Sequence, residues 1–151
     1  MEMIYTERTK RAMKICLEAH AGQVDKGGYP YCMHPIHLAE QMDNESACIV
    51  ALLHDVLEDC EGYTLQNLAE AIPLTEEEKN ALFLITHIKT EPYPVYCKRL
   101  SSSPLARQVK IADLRHNLDL TRLGNEPHPK YEVMKGCLED LLGNSLFCGE
   151  G

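Results

Sequence analysis

The spacing of hydrophobic positions predicts a chain that is helical almost throughout. A first helix begins after Thr6, which can cap it, and extends to about Ala21. Its apolar stripe recurs at intervals of three and four residues and consists of Ala12, Ile15, Cys16 and Ala19. No segment shows the apolar–polar alternation of a half-buried strand. The pattern therefore predicts an all-α fold.

The strongest helical signal runs from Asn44 to Asp59. Asn44 or Ser46 can cap its start, and one face carries Ile49, Val50, Leu53, Val56 and Leu57. A loop rich in glycine and proline precedes a short helix that starts near Pro35. Further helices are predicted over residues 64–70, 75–87, 92–100, 103–118 and 129–142. We expect one domain over residues 1–151, with a frayed tail after Leu142.

Composition and charge narrow the classes of function. The chain has 151 residues and a net charge of −8, with 23 acidic and 15 basic side chains. General nucleic-acid binding is not expected, because phosphate contacts need an excess of Lys and Arg. No apolar run approaches the roughly 18 residues that span a bilayer. The N-terminus is polar and shows no signal peptide, so we expect a cytoplasmic protein without a membrane partner.

The seven cysteines carry little information. They lie at 16, 32, 48, 60, 97, 137 and 148, and no two of them form a CxxC pair. Because their number is odd and no export signal is visible, the sequence predicts free thiols rather than a disulfide framework. A zinc cluster built on these thiols is not expected either.

The chemistry centres on the stretch HDVLED at residues 54–59. A hydrophobic helix here presents His54 and Asp55, followed by Glu58 and Asp59 one turn later. Adjacent histidine and aspartate can chelate one cation through an imidazole nitrogen and a carboxylate oxygen. Taken alone, the same dipeptide is more often a capped or salt-bridged helix end.

Two further stretches supply possible partners for this dipeptide. His34 precedes Pro35 at the end of the glycine-rich loop, where the short helix would fix its ring. Asp113 lies in an apolar helix segment and shares one face with Lys110 and Asn117, at spacings of three and seven residues. By itself this stripe would be read as a solvated helix face.

The order of these motifs resembles that of the HD-domain metal phosphohydrolases. The stretches AHAGQ at 19–23, GYPY at 28–31 and His34-Pro35 are similar to the opening of the guanosine tetraphosphate (ppGpp) hydrolase domain of RelA/SpoT proteins. Residues 54–59 match the HDxxED element of that family, and KIAD at 110–113 with His116-Asn117 resembles its final motif. The resemblance covers residues 19–117.

The resemblance implies a single HD-type domain, a bundle-like array of helices that hydrolyses a nucleotide. The implied metal ligands are His34, His54, Asp55 and Asp113, and the implied catalytic pair that activates water is Glu58 and Asp59. The implied substrate contacts are Lys26, Lys110, Asn117 and Thr86. The cation is usually manganese in this family, and iron or zinc also suits a mixed nitrogen and oxygen ligand set. The reaction removes the 3′-pyrophosphate of ppGpp.

Two departures from the family pattern keep other substrates open. Asp25 occupies the loop where the family usually has arginine, and Leu114-Arg115 inverts the order of the family's final motif. The substrate could therefore be another nucleotide or phosphoester, or the chain could be a metal- and nucleotide-binding module without catalysis. For Thr86, a position at the end of an ordinary helix explains the local sequence as well as a contact with phosphate does. Because the synthetase region of the long relatives is not present, pyrophosphokinase activity is not expected. The oligomeric state, monomer or homodimer, stays open.

Overall fold

The computed structural model of the protein describes residues 3–148, and the regular secondary structure in this range consists of helices. The helices are α1 (Glu7–Ala19), α2 (Met33–Glu40), α3 (Glu45–Leu53), α4 (Val56–Asp59), α5 (Leu65–Ala71), α6 (Glu76–Ile85), α7 (Tyr93–Leu100), α8 (Pro104–Asn117) and α9 (Tyr131–Cys148). The described part of the chain has no strand beyond an isolated antiparallel bridge between Val24 and Pro30. The predicted all-α fold is confirmed.

Most helices begin where the sequence placed a capping residue. The side chain of the residue before the helix accepts a hydrogen bond from a backbone N–H of the first turn at Thr6, Asn44, Thr64, Thr75 and Ser103. Each bond satisfies one of the amide groups that a helix leaves unpaired at its start. The last helix is longer than predicted, because α9 continues past Leu142 to Cys148 where a frayed tail was expected. Residues 149–151 lie outside the described residues.

Helix α3 forms the centre of the core. Every residue from Ala47 to Leu53 is buried, as expected for a helix that is apolar on all sides. It packs against α1, α2, α6 and α8. Because α2 and α8 also contact each other, the three helices α2, α3 and α8 meet at one place, and the polar residues at their ends are brought together there.

The predicted helix from Asn44 to Asp59 is wrong in one respect, because it is interrupted at His54 and Asp55. Helix α3 ends at Leu53 and the single turn α4 begins at Val56. The Nδ1 atom of His54 lies 2.6 Å from the carbonyl oxygen of Ala51. That carbonyl is the one to which the amide of Asp55 would donate in a continuous helix. The histidine side chain therefore replaces a backbone hydrogen bond, and the turn that carries the His-Asp pair is shaped by it.

The expectation of free thiols is wrong for one pair of cysteines. Cys97 in α7 and Cys137 in α9 form a disulfide with their Cα atoms 5.9 Å apart. Both residues are buried. Cys16, Cys32, Cys48 and Cys60 are free, as predicted. The bond links the last described helix to the helix that carries Tyr93 and Tyr96.

A buried ion pair connects the first helix to α6. Glu78 is fully buried, and its carboxylate accepts hydrogen bonds from both terminal nitrogens of Arg8, at 2.7 and 2.9 Å. It also accepts from the hydroxyl of Ser46 at 2.6 Å and from the backbone amide of Thr75 at 2.9 Å. Glu78 completes the capping box at the start of α6 and also links α6 to α1 and α3.

We expect Glu78→Gln to lower the free energy of unfolding by about 3 kcal/mol at pH 7, because Arg8 loses a buried counter-charge. Burial alone would raise the pKa of Glu78, but the hydrogen bonds from Arg8 and Ser46 lower it to about 2. A lowered pKa stabilises the folded state above the ordinary value of 4.5 and loses that effect as the pH falls towards 2. The difference between the two proteins should therefore shrink below pH 4.5.

Urea denaturation between pH 7 and pH 2.5 measures this effect, and Glu77→Gln is the matched control on an exposed neighbour. The control should unfold like the parent at every pH. A stability difference for Glu78→Gln that is absent at pH 7, or unchanged at pH 2.5, would contradict the assignment.

Candidate metal centre

Four predicted ligands converge at the junction of α2, α3 and α8. His34 lies in α2, His54 and Asp55 form the break after α3, and Asp113 lies in α8. One ligand atom from each residue lies within 4.8 Å of the others. The two histidines and Asp113 are nearly inaccessible to solvent, with exposed fractions of 1%, 2% and 3%, and Asp55 is partly exposed. The structure thus gathers the set that the sequence predicted.

The donor atoms face one another. His34 Nε2 lies 2.8 Å from Asp113 Oδ1, and His54 Nε2 lies 3.0 Å from Asp55 Oδ2 and 3.4 Å from Asp113 Oδ1. His54 Nε2 is buried and has no well-formed hydrogen bond. A buried nitrogen without a hydrogen-bond partner is costly unless something else binds it. Two imidazoles and two carboxylates around one point fit a divalent transition metal ion.

A second layer of contacts holds the two aspartates. Asp55 Oδ2 accepts a 2.6 Å hydrogen bond from the Tyr31 hydroxyl. Asp113 accepts from Lys110 Nζ at 2.8 Å and from the Asn117 side-chain amide at 3.0 Å. Ligands of metal sites are commonly oriented by such partners. Tyr31 was quoted in the sequence motif but given no role, and only its spatial proximity to Asp55 reveals one.

Charges compensate one another across this junction. Burial alone would raise the pKa of Asp113, but Lys110 and the two histidines hold it well below its usual value. Burial likewise opposes the charge of Lys110, whose pKa Asp113 nevertheless keeps raised. The ammonium also lies 5.1 Å from the centre of the Tyr96 ring and 5.6 Å from that of Tyr93. Lys110 is thus a buried cation paired with the candidate ligand Asp113.

The acidic pair lies beside the four ligands. Glu58, Asp59 and Asp55 each place a carboxylate oxygen within 4.8 Å of the other two. Glu58 Oε1 accepts a 2.7 Å hydrogen bond from the backbone amide of His87. Glu58 stays accessible to solvent, but partial desolvation in the cavity wall and the charge of Asp55 raise its pKa to about 7. The same two causes raise the pKa of Asp59. A carboxyl group with a pKa near neutrality is suited to proton transfer.

A cavity of about 320 Å³ opens in front of these groups. Asp55, Glu58, Asp59 and Asp113 line one side of it. The basic side chains of Lys26, Lys110, Arg122 and Lys130 also line the cavity, together with Asn117 and the imidazole of His128. The cavity therefore combines a place for a cation with a basic surface for an anion, although the whole chain is acidic.

Arg122 was not predicted and explains the unusual Asp25. Arg122 Nη2 lies 3.3 Å from Asp25 Oδ2, and its Nη1 donates to Asn117 Oδ1 at 3.1 Å. The other oxygen of Asp25 accepts from the amides of Gly27 and Tyr29, which closes the loop. The negative charge of Asp25 is thus neutralised inside the protein. No local pattern links positions 25 and 122, so only the fold could reveal this pair.

Three of the four predicted substrate contacts line the cavity, and the fourth does not. Lys26, Lys110 and Asn117 line the cavity, but Lys110 and Asn117 both donate to Asp113. Thr86 does not line this cavity. It directly follows α6, and its hydroxyl donates to the carbonyl oxygen of Leu82 at 2.8 Å, as expected for a residue at a helix end. Its contact with phosphate stays a prediction.

Sequence comparisons identify relatives over part of the chain. A probable GTP pyrophosphokinase of Mycobacterium leprae is 29% identical over 126 residues, which is 75% of this chain and 16% of the relative. The guanosine-3′,5′-bis(diphosphate) 3′-pyrophosphohydrolase of Aquifex aeolicus is 42% identical over 60 residues, 36% of this chain and 8% of the relative. The bifunctional (p)ppGpp synthase/hydrolase SpoT of Escherichia coli is 39% identical over 57 residues, 35% of this chain and 8% of that protein. The chain therefore spans only a small part of these relatives, and no family model matches it.

The fold is that of a solved structure described as a metazoan ortholog of SpoT that hydrolyses ppGpp. The TM-score is 0.76 at 19% sequence identity, over 93% of this chain and 88% of the other. Together with the relatives, this match confirms the recognition made from the sequence: the chain has the motifs and the fold of an HD-domain hydrolase of the RelA/SpoT type. No helix in the described part of the chain combines the length and the apolar character needed to cross a membrane.

Proposed function

We propose that this chain, which shares the motifs and the fold of the RelA/SpoT-type HD-domain hydrolases, is a metal-dependent phosphohydrolase. Its proposed substrate is guanosine tetraphosphate or pentaphosphate, from which it removes the 3′-pyrophosphate. The observation that carries the proposal is the juxtaposition of a four-ligand cluster, the Glu58-Asp59 pair and a basic surface within one cavity. The activities in the names of the relatives point to the same reaction.

The ligand set fits manganese, with iron or zinc as the other suitable ions, because imidazole and carboxylate donors are mixed. His34, His54, Asp55 and Asp113 would hold the ion. A divalent ion at such a site lowers the pKa of a coordinated water and polarises a phosphoryl oxygen. The contribution of Tyr31 and Lys110 is to fix the orientation of the two aspartates through the hydrogen bonds described above.

The carboxylates beside the cluster are placed to take a proton from the attacking water. Glu58 is anchored by the amide of His87, so that its carboxylate stays beside Asp55. Asp59 lies within reach of the same point and can share the proton or orient the water. The carboxylate of Glu58 is thus the base that we assign, with Asp59 as its neighbour.

The basic side of the cavity would receive the phosphates. Lys26, Arg122 and Lys130 line the same cavity as the acidic residues, and His128 lies among them. Arg122 is held by Asp25 and by Asn117, so its guanidinium is fixed before a ligand arrives. Preorganised cations stabilise the charge of a departing phosphate group without further rearrangement. A polyanionic nucleotide fits this division of the cavity better than a neutral substrate.

A second candidate is hydrolysis of a different nucleotide or phosphoester. The observation in its favour is the Asp25–Arg122 ion pair in the cavity wall. Asp25 there stands where the family usually has arginine. The hydrogen bond from Arg122 to Asn117 further commits a predicted nucleotide contact to the protein itself. The metal centre would act in the same way on such a substrate.

Product analysis distinguishes these proposals. We expect manganese-loaded protein incubated with ppGpp to release GDP and pyrophosphate, detected by anion-exchange chromatography. The double variant His54→Ala, Asp55→Ala should release neither product, because two of the four ligands are removed. Manganese bound to the parent protein should be measured in the same samples.

The outcomes separate the parts of the proposal. Manganese binding without turnover of ppGpp would refute the ppGpp assignment, and a screen of nucleotides and phosphoesters would then test the second candidate. Turnover that persists in the double variant would show that the reaction does not use this metal centre.

A further inference from the structure

A second imidazole lies against the metal-ligand histidine of α2. His34 Nδ1 and His116 Nδ1 are 2.6 Å apart, which is a hydrogen-bond distance. His34 belongs to α2, and His116 to the last turn of α8, three residues after Asp113. The contact therefore connects two of the helices that supply ligands, through the side of the His34 ring that faces away from the other donors.

The geometry of the two rings is that of a hydrogen bond between their edges and not of two stacked faces. Their planes differ by only 4° and their centroids are 4.9 Å apart. Two rings that lie side by side in one plane have a centroid separation equal to the nitrogen–nitrogen distance plus the two ring radii, which accounts for the value found. The hydrogen of the bond thus lies in the plane of both rings, the favourable direction for an imidazole donor and acceptor.

The direction of the hydrogen bond follows from the chemistry of His34. Its Nε2 points at Asp113 and Asp55, at 2.8 and 3.8 Å, and is the nitrogen that would bind the cation. A neutral imidazole carries one proton, so with Nε2 binding a cation the proton must be on Nδ1. His34 Nδ1–H is then the donor and His116 Nδ1 the acceptor.

The other ligand histidine shows the same arrangement with a different acceptor. His54 Nδ1 lies 2.6 Å from the carbonyl oxygen of Ala51, which leaves Nε2 facing the aspartates. A backbone carbonyl is a permanent acceptor, whereas the acceptor for His34 is a side chain that mutation can remove. The two histidines therefore provide an internal comparison within one site.

We propose that His116 is a positioning residue, which accepts the Nδ1 proton of His34 and so holds its Nε2 towards the cation. The proposal rests on the metal centre of the proposed function but not on the identity of the substrate. The partner of a ligand histidine typically contributes a factor of 10 to 100 in metal affinity. His116 contacts neither the reacting atoms nor the cavity surface described above, so its effect passes through His34.

The test uses cobalt(II) as the metal and two substitutions of His116. In His116→Asn the side-chain oxygen occupies the place of Nδ1 and can still accept the proton. In His116→Leu a side chain of similar size lacks an acceptor. His37→Asn is the matched control, because the exposed His37 ring contacts the His116 ring at a centroid distance of 4.3 Å and makes no contact with His34 that the structure records.

We expect the dissociation constant for cobalt to rise about 10- to 100-fold in His116→Leu and to change less than about threefold in His116→Asn. Proton NMR of the cobalt-loaded protein supplies a signature of the bond itself. The parent should show two hyperfine-shifted, solvent-exchangeable ring N–H signals, one from His34 and one from His54. The His34 signal should be lost by rapid exchange in His116→Leu and retained in the other two variants.

Each departure from this result has a defined meaning. If His116→Leu keeps both signals and the affinity of the parent, His116 does not position His34. If the asparagine variant loses as much affinity as the leucine variant, the effect comes from packing and the inference is wrong. A parent protein that binds no cobalt refutes the metal centre, whereas normal cobalt binding without turnover of any phosphoester refutes only the proposed function.

Discussion

Asp113→Asn is expected to weaken metal binding by more than about 10²-fold and to lower turnover by about 10³-fold or more. The carboxylate of Asp113 lies at the centre of the cluster, within 3.4 Å of the ring nitrogens of both His34 and His54. Asparagine has nearly the same shape but lacks the negative charge that attracts the cation. Isothermal titration calorimetry with manganese measures the change in affinity, and steady-state kinetics measures the change in turnover.

Asp113→Asn is also expected to destabilise the folded protein, apart from its effect on metal binding. Lys110 is buried, and its ammonium is paired with Asp113 at 2.8 Å. Removing the charge of Asp113 leaves a buried cation without a partner, which typically costs about 3–5 kcal/mol. The double variant Asp113→Asn, Lys110→Met removes both charges and should recover most of that stability. It should not recover metal binding, since the ligand is still missing.

Asp119→Asn is the matched control, because Asp119 is an exposed acid shortly after the same helix. It should bind manganese and turn over substrate like the parent. Asp113 would not be a ligand if Asp113→Asn, with or without Lys110→Met, bound manganese with the affinity of the parent.

Much of this fold was predictable because helix boundaries depend on local chemistry. Capping residues such as Thr6, Thr75 and Ser103 act on amides only a few residues away, so they can be read from the sequence. The convergence of the four candidate ligands was predictable for a different reason. Buried histidine and aspartate in apolar helices need a compensating partner, and the resemblance to a known family connected the separate motifs.

The interruption at His54 shows where local reasoning failed. The apolar periodicity from Ile49 to Leu57 is that of one continuous helix. Periodicity describes which side chains face the core but not which acceptor a backbone amide finds. The contact of His54 with the Ala51 carbonyl competes with the helix at this place. This competition places the candidate ligands His54 and Asp55 in a turn, and it becomes visible only in three dimensions.

The remaining features depend on contacts between residues that are distant in sequence. Arg122 neutralises Asp25, and Cys97 is bonded to Cys137. The sequence contains each of these residues, but neither spacing nor composition pairs them. Asp25 in particular was interpreted as a departure from the family pattern that leaves another nucleotide or phosphoester open as the substrate, because its partner was unknown. The structure places a guanidinium beside that carboxylate, so its charge is compensated within the protein.

Glu58→Gln is expected to lower kcat by about 10²- to 10⁴-fold while leaving the affinity for manganese unchanged. Glutamine can still accept the 2.7 Å hydrogen bond from the amide of His87, so the side chain should stay in place. What it loses is the ability to take a proton. Discontinuous assays of product formation measure kcat, and isothermal titration calorimetry measures the affinity for manganese. Glu61→Gln, an exposed acid three residues further along, should behave like the parent.

The pH dependence of kcat tests the same role more sharply. Burial and the charge of Asp55 raise the pKa of Glu58 to about 7, and a cation held by Asp55 offsets part of that charge and lowers the pKa again. A base works when it is ionised, so kcat of the parent should fall with decreasing pH, with a midpoint below 7. Glu58→Gln should lack this acidic limb. Full turnover in Glu58→Gln would falsify the base role, and loss of turnover in Asp59→Asn would then assign it to Asp59.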